Sequence, residues 1–196
     1  MNKEVYAVRE NSWIREAKVA AHVYEFYICG EIEDPECYID MYDIIRHSRY
    51  DDTVKIYVNS VGGNLFTAIQ FLRVLSESEA TVIVSIEGAC MSAATLLFLA
   101  ADSVELTPNS SVMIHNYSSG TIGKGNEMFN QVQHERKWSE KLFNEVYEDF
   151  LSTDEIKAVL DGKDIWLEAD EVMERMQKRA ELRKEAAELE EATRPS

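Results

Sequence analysis

The amino-acid sequence predicts an α/β fold with a mainly parallel sheet. Short segments rich in β-branched residues alternate along the chain with segments whose apolar residues recur every three to four positions. Strands that are joined by helical crossovers pair in parallel. The length of 196 residues suits a single domain with a substantial core. In such sheets ligands bind where the strands end, so the residues that follow each strand are the first candidates for a functional site.

Composition excludes several classes of function. A formal net charge of −16 argues against non-specific binding to nucleic acid or to anionic membranes, since both attract basic surfaces. The longest apolar run, within 93–101, is much shorter than the roughly 18 residues of a membrane span. Three cysteines without a CxxC or a Cys/His ligand spacing favour reduced thiols and argue against a zinc site. We therefore expect a cytoplasmic protein that has neither a metal nor another cofactor.

Residues 23–101 predict three strands that alternate with three helices. The order is strand 23–30, helix 34–45, strand 53–58, helix 65–76, strand 81–86 and a buried helix within 88–101. Gly30 is expected to end the first strand, and Gly88 to form a tight turn before the buried helix. Residues 1–22 carry mixed charge with weak periodicity. Two interpretations of this segment stay open, an extended arm or a partner-binding segment.

The rest of the chain predicts shorter strands and one long helix. The order is strand 103–108, strand 111–114, loop 116–125, helix 126–150, helix 153–160, strand 165–167, helix 169–176 and a solvated, charged tail. The length of helix 126–150 fits either projection toward another subunit or a plain surface helix. We divide the chain into an N-terminal arm (1–22), a domain (23–176) and a charged C-terminal tail (177–196).

Three features follow predicted strands and are expected to meet at one edge of the sheet. Ser92 lies at a strand-to-helix junction, where unpaired N–H groups and the helix dipole suit a nucleophile and an oxyanion. Taken alone, Ser92 is more typical of a helix N-cap. Gly62 and Gly63 can bring backbone N–H groups close to a ligand. His115 ends a strand, and its alternatives are a catalytic base and a hydrogen-bonded structural histidine.

Four motifs occur in an order that resembles one enzyme family. Residues 59–63 (Asn-Ser-Val-Gly-Gly) are similar to the family's Asn-Ser-Pro-Gly-Gly, and residues 88–93 (Gly-Ala-Cys-Met-Ser-Ala) to its nucleophile turn, Gly-x-Ala-Ala-Ser-Met. Residues 112–116 (Val-Met-Ile-His-Asn) resemble the segment that bears its histidine. Residues 164–171 are similar to its Asp-x-x-Leu-Ser-Ala-x-Glu segment. The family is the ClpP family, the proteolytic subunits of Clp-type serine proteases.

This resemblance implies a serine endopeptidase with a Ser-His-Asp triad. Ser92 would attack the peptide carbonyl, His115 would take its proton, and Asp164 would orient the imidazole. The backbone N–H groups of Gly62 and Ala93 would hold the oxyanion. Only the match to the motif selects Asp164 as the third residue. Other carboxylates lie close to it in the sequence, and each could instead cap a helix or face solvent; these are Asp149, Asp154 and Asp161.

The resemblance also implies an architecture and partners. The family fold is a crotonase-like α/β domain in which a long handle helix, here 126–150, joins two heptameric rings into a closed tetradecamer. An unfolded protein or peptide substrate would lie in extended form along Gly63, Asn64 and Leu65. In the family an ATP-driven unfoldase feeds the chamber. The fold alone leaves a non-proteolytic alternative open, either an inactive scaffold subunit or a crotonase-like acyl-CoA enzyme; the presence of all three triad residues favours the peptidase.

Overall fold

The computed structural model describes residues 5–9, 12–15 and 21–193. Its strands are β1 (Val5–Arg9), β2 (Ser12–Arg15), β3 (Val23–Ile32), β4 (Thr53–Gly63), β5 (Thr81–Met91), β6 (Ser103–Leu106), β7 (Ser111–Ile114) and β8 (Ile165–Glu168). β1 and β2 pair with each other in antiparallel fashion. The remainder of the predicted arm, residues 1–4, 10–11 and 16–20, lies outside the described residues.

The six later strands form one sheet that is parallel except at one edge. Its order is β3-β4-β5-β7-β8, and β6 also pairs with β5. β5 is long enough to pair with β6 through residues 83–86 and with β7 through residues 89–91. Only the β7–β8 pair of this sheet is antiparallel. The predicted α/β fold with a mainly parallel sheet is thereby confirmed.

Helices cover the sheet and enclose its core. They are α1 (Ile39–His47), α2 (Leu65–Ser76), α3 (Thr95–Leu99), α4 (Gly125–Tyr147), α5 (Thr153–Leu160) and α6 (Ala169–Thr193). Alternate side chains of β4, those of Val54, Ile56 and Val58, are fully buried and belong to the same apolar core as Phe71 of α2 and Phe98 of α3. The burial of every second residue is the pattern of a strand with one face on the core.

The two central strands are longer than their predicted bounds. β4 ends at Gly63 rather than at residue 58, and β5 ends at Met91 rather than at residue 86. The predicted turn at Gly88 is wrong, because Gly88 lies inside β5. A Cβ at this position would lie 2.7 Å from Asn59 Oδ1, which accepts a hydrogen bond from the Ala89 N–H. Because Gly88 has no side chain, the Asn59 side chain can approach the β5 backbone closely at this point.

Gly30 does not end β3 either. The strand continues to Ile32, and its pairing with β4 shifts by one residue between Gly30 and Glu31. Gly30 has a φ of 81°, which glycine adopts without a steric penalty. The glycine thus allows a bulge within the strand instead of a termination.

The segment after β5 also differs from its prediction. In place of one buried helix within 88–101, a 3₁₀ turn over Ser92–Ala94 leads into the five-residue α3. The chain reverses at Ser92 and not at Gly88, so the candidate nucleophile itself forms the corner between strand and helix.

An ion pair fixes the elements on both sides of β8. The Arg175 guanidinium of α6 donates to both carboxylate oxygens of Glu155, at 2.7 and 3.1 Å, and lowers the pKa of Glu155 to about 2. The Glu155 carboxylate also accepts a hydrogen bond from the backbone N–H of Ser152, the N-cap residue of α5. The start of α5 and the first turns of α6 are therefore joined, with β8 between them in the chain.

The last helix is continuous where the charged tail begins. α6 passes through residue 177 without a break, and Arg179 is only 4% exposed. Its guanidinium donates a 2.7 Å hydrogen bond to the carbonyl oxygen of Leu99 at the end of α3. This contact docks the beginning of the predicted tail onto the domain. Among the helices described, none combines the length and the apolar character needed to cross a membrane.

Candidate active site

Ser92 occupies a strained corner between β5 and the 3₁₀ turn. Its φ is 53°, and no other non-glycine residue in the described ranges has a positive φ. The left-handed conformation costs an L-residue roughly 1–2 kcal/mol. Met91, not Ser92, takes the N-cap position of the turn, and it makes no side-chain capping bond. The N-cap interpretation of Ser92 therefore does not describe the structure.

The hydroxyl of Ser92 is bonded to His115. Ser92 Oγ and His115 Nε2 lie 2.7 Å apart, and both side chains are half-buried. The sheet sets this distance, since the ends of β5 and β7 are adjacent, with Met91 paired to Met113. A hydroxyl within hydrogen-bond distance of an imidazole nitrogen, in a site that a substrate can reach, is the arrangement of a nucleophile and its base.

Gly62 packs directly against the Ser92 corner. A Cβ at Gly62 would lie 2.7 Å from Ser92 Cβ, 2.8 Å from Met91 O and 3.1 Å from Ala93 N. Ala93 is the second residue of the 3₁₀ turn, where backbone N–H groups have no acceptor within the helix. The structure thus brings together the two residues that were predicted to bind the oxyanion.

The N–H of Gly62 has an acceptor within the chain. It donates to Ser60 Oγ at 3.1 Å, and the Ser60 hydroxyl in turn donates to the carbonyl oxygen of Gly30 at 2.6 Å. Ser60 is fully buried. The Gly62 donor is therefore held by the bulge of β3 in this structure and is not directed at an open position.

Asp164 lies opposite His115 without touching it. β7 and β8 pair in antiparallel fashion up to Ile114 and Ile165, so His115 and Asp164 are the next two residues beyond the end of this ladder. The Asp164 side chain is exposed and borders a separate depression with Asp154 and Glu155. No hydrogen bond between Asp164 and His115 occurs among the described residues.

The other nearby carboxylates do not replace Asp164. Asp149 pairs with Arg183 at 3.2 Å, and Asp161 is the C-cap of α5. Asp154 lies in the first turn of α5. Within the described ranges, none of the three is hydrogen-bonded to His115.

A cavity of about 520 Å³ opens beside Ser92 and His115. It is lined by Gly63, Asn64, Leu65, Phe66, Ser92, Ala93, Leu96, His115, Tyr117, Ser118, Ser119, Gln131, His134, Glu135, Trp138, Leu142, Phe143 and Tyr147. The rings of Phe66 and Trp138 lie 5.5 Å apart, and Phe66 is 71% exposed. Aromatic walls with a few polar groups are typical of a binding site for an apolar group.

The predicted substrate residues lie on the rim of this cavity, but one of them has a second role. Asn64 accepts a hydrogen bond from the Thr67 N–H and so caps α2. Its Nδ2 donates to the Asp34 carboxylate at 2.9 Å. The Asn64 side chain is therefore held by hydrogen bonds within the protein. Gly63 and Leu65 also border the cavity, but they have no polar side chain that could be held in this way.

Several residues of the cavity escaped prediction from the sequence. One face of α4 contributes four of them at helical spacing: Gln131, Glu135, Trp138 and Leu142. This spacing predicts that the four side chains share a face of the helix, but it does not show that the face lines a cavity. At the polar end, Ser119 and Gln131 donate to the Glu135 carboxylate at 2.6 and 2.8 Å and hold the pKa of Glu135 below its usual value. The part of the chain that is described contains no cluster of three or more potential metal ligands.

Comparison with known families supports the resemblance seen in the motifs. A family model described as Clp protease matches residues 18–175, which is most of the chain. No curated protein matches the chain.

The contact between Gly62 and Ser92 predicts a specific sensitivity to substitution. We expect Gly62→Ala to lower the free energy of unfolding by about 2–4 kcal/mol, because it adds a clash to the cost of a φ of 97°. Gly162→Ala is the matched control, since Gly162 has a φ of 101° but nothing within 4 Å of its Cβ position; it should cost about 1 kcal/mol. Denaturant titration measures both. Equal losses of unfolding free energy in the two variants would contradict a close contact between Gly62 and the Ser92 corner.

Proposed function

The chain belongs to the Clp protease family, and on that premise we propose that it is a serine endopeptidase with Ser92 as its nucleophile. The observation that carries the proposal is the 2.7 Å hydrogen bond between Ser92 Oγ and His115 Nε2, made at a corner with a φ of 53° between two residues that line the cavity. Substrates are unfolded proteins or peptides.

In the proposed reaction, Ser92 Oγ attacks the scissile carbonyl carbon while His115 Nε2 accepts its proton. The resulting oxyanion is bound by the Ala93 N–H and by the Gly62 N–H, which exchanges Ser60 Oγ for the substrate oxygen. His115 then gives the proton to the leaving amine, and an acyl group remains on Ser92. Water, deprotonated by His115, hydrolyses this ester and restores the serine.

Asp164 is the proposed third member of the triad. The β7–β8 register supports this assignment, because His115 and Asp164 are the next residues beyond its last pair, Ile114 and Ile165. A rotation of the exposed Asp164 side chain toward the imidazole would let its carboxylate accept the Nδ1–H of His115. The carboxylate would then fix the tautomer that leaves Nε2 free to act as the base.

The cavity suits an apolar side chain next to the scissile bond. Phe66, Leu96 and Trp138 line the same cavity as Ser92, so an apolar group bound there gains by leaving water. Gly63 has no side chain that would obstruct an extended peptide beside it. The proposed enzyme therefore binds its substrate along Gly63, Asn64 and Leu65 and anchors one apolar residue in the cavity.

We also propose that the chain assembles into two stacked heptameric rings that enclose the active sites. α4 supports this assembly, because it exposes apolar side chains in its N-terminal half, with Phe129 63% and Val132 50% exposed. Exposed apolar patches of this kind favour contact with another subunit. An ATP-driven unfoldase would then deliver substrates into the chamber.

The nucleophile is tested by covalent labelling. A fluorophosphonate probe should modify the wild-type protein, and Ser92→Ala should abolish the modification because no other hydroxyl is paired with a histidine among the described residues. Ser103→Ala, which alters an exposed serine at the start of β6, is the control and should label like the wild type. An assembled oligomer that does not react would favour the inactive-scaffold alternative.

The third triad member is tested by a pair of isosteric substitutions. Asp164→Asn should lower kcat for peptide hydrolysis by a factor on the order of 10²–10⁴, because His115 then loses the group that selects its tautomer. Asp161→Asn, on the same connection but at the cap of α5, should leave kcat unchanged. If both variants hydrolyse peptides like the wild type, Asp164 is not part of the catalytic apparatus.

The ring assembly is tested by multi-angle light scattering. The wild type should elute with the mass of fourteen chains of 22.4 kDa, and Phe129→Glu should release single rings of seven, since a charge cannot be buried in the proposed contact without a large cost. A wild-type mass of 22.4 kDa at micromolar concentration would contradict the chamber.

A further inference from the structure

A buried pair of hydroxyls holds the backbone of the Ser92 corner. Thr95 is fully buried, and its Oγ1 lies 2.6 Å from the carbonyl oxygen of Ser92 and 2.6 Å from the hydroxyl of Tyr147. Tyr147 is the last residue of α4, 52 positions further along the chain. The far end of α4 is thereby connected to the one non-glycine residue of the described chain that has a positive φ.

The direction of these hydrogen bonds follows from the available protons. The Ser92 carbonyl is an acceptor only, so the single Thr95 proton must point toward it. Tyr147 is then the donor to Thr95 Oγ1. Burial raises the pKa of Tyr147 above its usual value, so its hydroxyl keeps that proton. The chain of bonds runs from Tyr147 through Thr95 to Ser92 O, and its members polarise one another in the same direction.

Both donors are rigidly placed. Tyr147 is 3% exposed, and its ring stacks on that of Phe143 with a centroid distance of 5.0 Å and an interplanar angle of 20°. Thr95 begins α3, and its stiff β-branched side chain reaches back three residues to the carbonyl. Within the described part of the chain, neither hydroxyl is hydrogen-bonded to His115, so any effect of these hydroxyls on chemistry passes through the Ser92 backbone.

We propose that Thr95 and Tyr147 are positioning residues that hold Ser92 in the conformation from which its hydroxyl meets His115. The proposal rests on the peptidase function proposed above. The Ser92 carbonyl also accepts the backbone N–H of Thr95. Without the two side-chain bonds this is the donor that remains to it in the turn, and the Ser92 peptide can relax from its strained φ toward an ordinary helical value. Such a rotation would move Oγ away from Nε2 and displace the Ala93 N–H, which follows Ser92 directly.

The first test removes one hydroxyl at a time. Tyr147→Phe keeps the ring that lines the cavity, so KM for a peptide substrate should change by less than about 2-fold, while kcat and the rate of fluorophosphonate labelling fall about 10-fold, the effect expected from one buried hydrogen bond. Thr95→Val should lower both rates at least as much. Thr95→Ser keeps a hydroxyl at this position and should retain most of the wild-type activity.

The double variant tests whether the two residues act in series. Because Thr95 alone joins Tyr147 to the Ser92 carbonyl among the residues described, Thr95→Val combined with Tyr147→Phe should be no slower than Thr95→Val alone. Independent contributions would instead multiply, and a multiplied loss would overturn the proposed chain of bonds.

Tyr42→Phe is the matched control for a purely structural effect. Tyr42 is 5% exposed and its hydroxyl lies 3.5 Å from the Thr67 carbonyl oxygen of α2, remote from His115. It should lower the melting temperature without slowing the labelling of Ser92 at a temperature where all variants are folded. Equal labelling rates in Tyr42→Phe and Tyr147→Phe would overturn the proposal.

A measurement without catalysis separates this proposal from the proposed function. Amide hydrogen exchange of the peptide that spans residues 91–96 should be roughly 10-fold faster in Tyr147→Phe than in the wild type, and unchanged in Tyr42→Phe. Unchanged exchange in Tyr147→Phe and Thr95→Val overturns the positioning role, whatever the labelling shows. Wild-type protein that fails to label, with the exchange result as expected, would refute the peptidase alone.

Discussion

The candidate site depends on how far β5 extends. The strand continues through Gly88 to Met91, and its last residues lie between the ends of β4 and β7, where Ser60 pairs with Cys90 and Met113 with Met91. Ser92 consequently emerges with a glycine of β4 on one side and His115 on the other. A strand that ended at residue 86, with a turn at Gly88, would leave the serine several residues inside a helix and out of reach of the histidine. Parallel pairing of long neighbouring strands is thus what assembles the site.

The sequence allowed prediction where local pattern and tertiary structure agree. The apolar spacing of α2 and the short apolar segment of β7 gave their bounds correctly. Gly30 and Gly88 misled, because both lie inside strands here. A glycine marks either a turn or a close approach of two chain segments, and the sequence alone does not distinguish these. In this fold the approaching groups are the Asn59 amide at Gly88 and the Ser92 corner at Gly62.

The same reasoning explains which parts of the site could be predicted and which could not. Ser92 and His115 follow strands, and strand order brings them together; their pairing depends on backbone geometry. The arrangement of Asp164 depends on a side-chain torsion in an exposed position, where water competes for the carboxylate. The Gly62 N–H donates to Ser60 Oγ here, so its proposed role in binding an oxyanion likewise depends on a change of acceptor. Backbone pairing fixes the neighbours of these groups but not their hydrogen bonds, so both remain open to rearrangement when a substrate replaces water.

α4 has more than one function in this architecture. Its middle supplies Glu135 and Trp138 to the cavity, while its last residue, Tyr147, is bonded to Thr95, which in turn is bonded to the Ser92 carbonyl. The long helix could be recognised from the sequence, but its contacts could not, because a periodic face does not identify what it packs against. A displacement of the helix along its axis would alter the cavity wall and the support of Ser92 together. The width of the cavity and the geometry of Ser92 are therefore linked through one helix, and a sequence change on that helix acts on both.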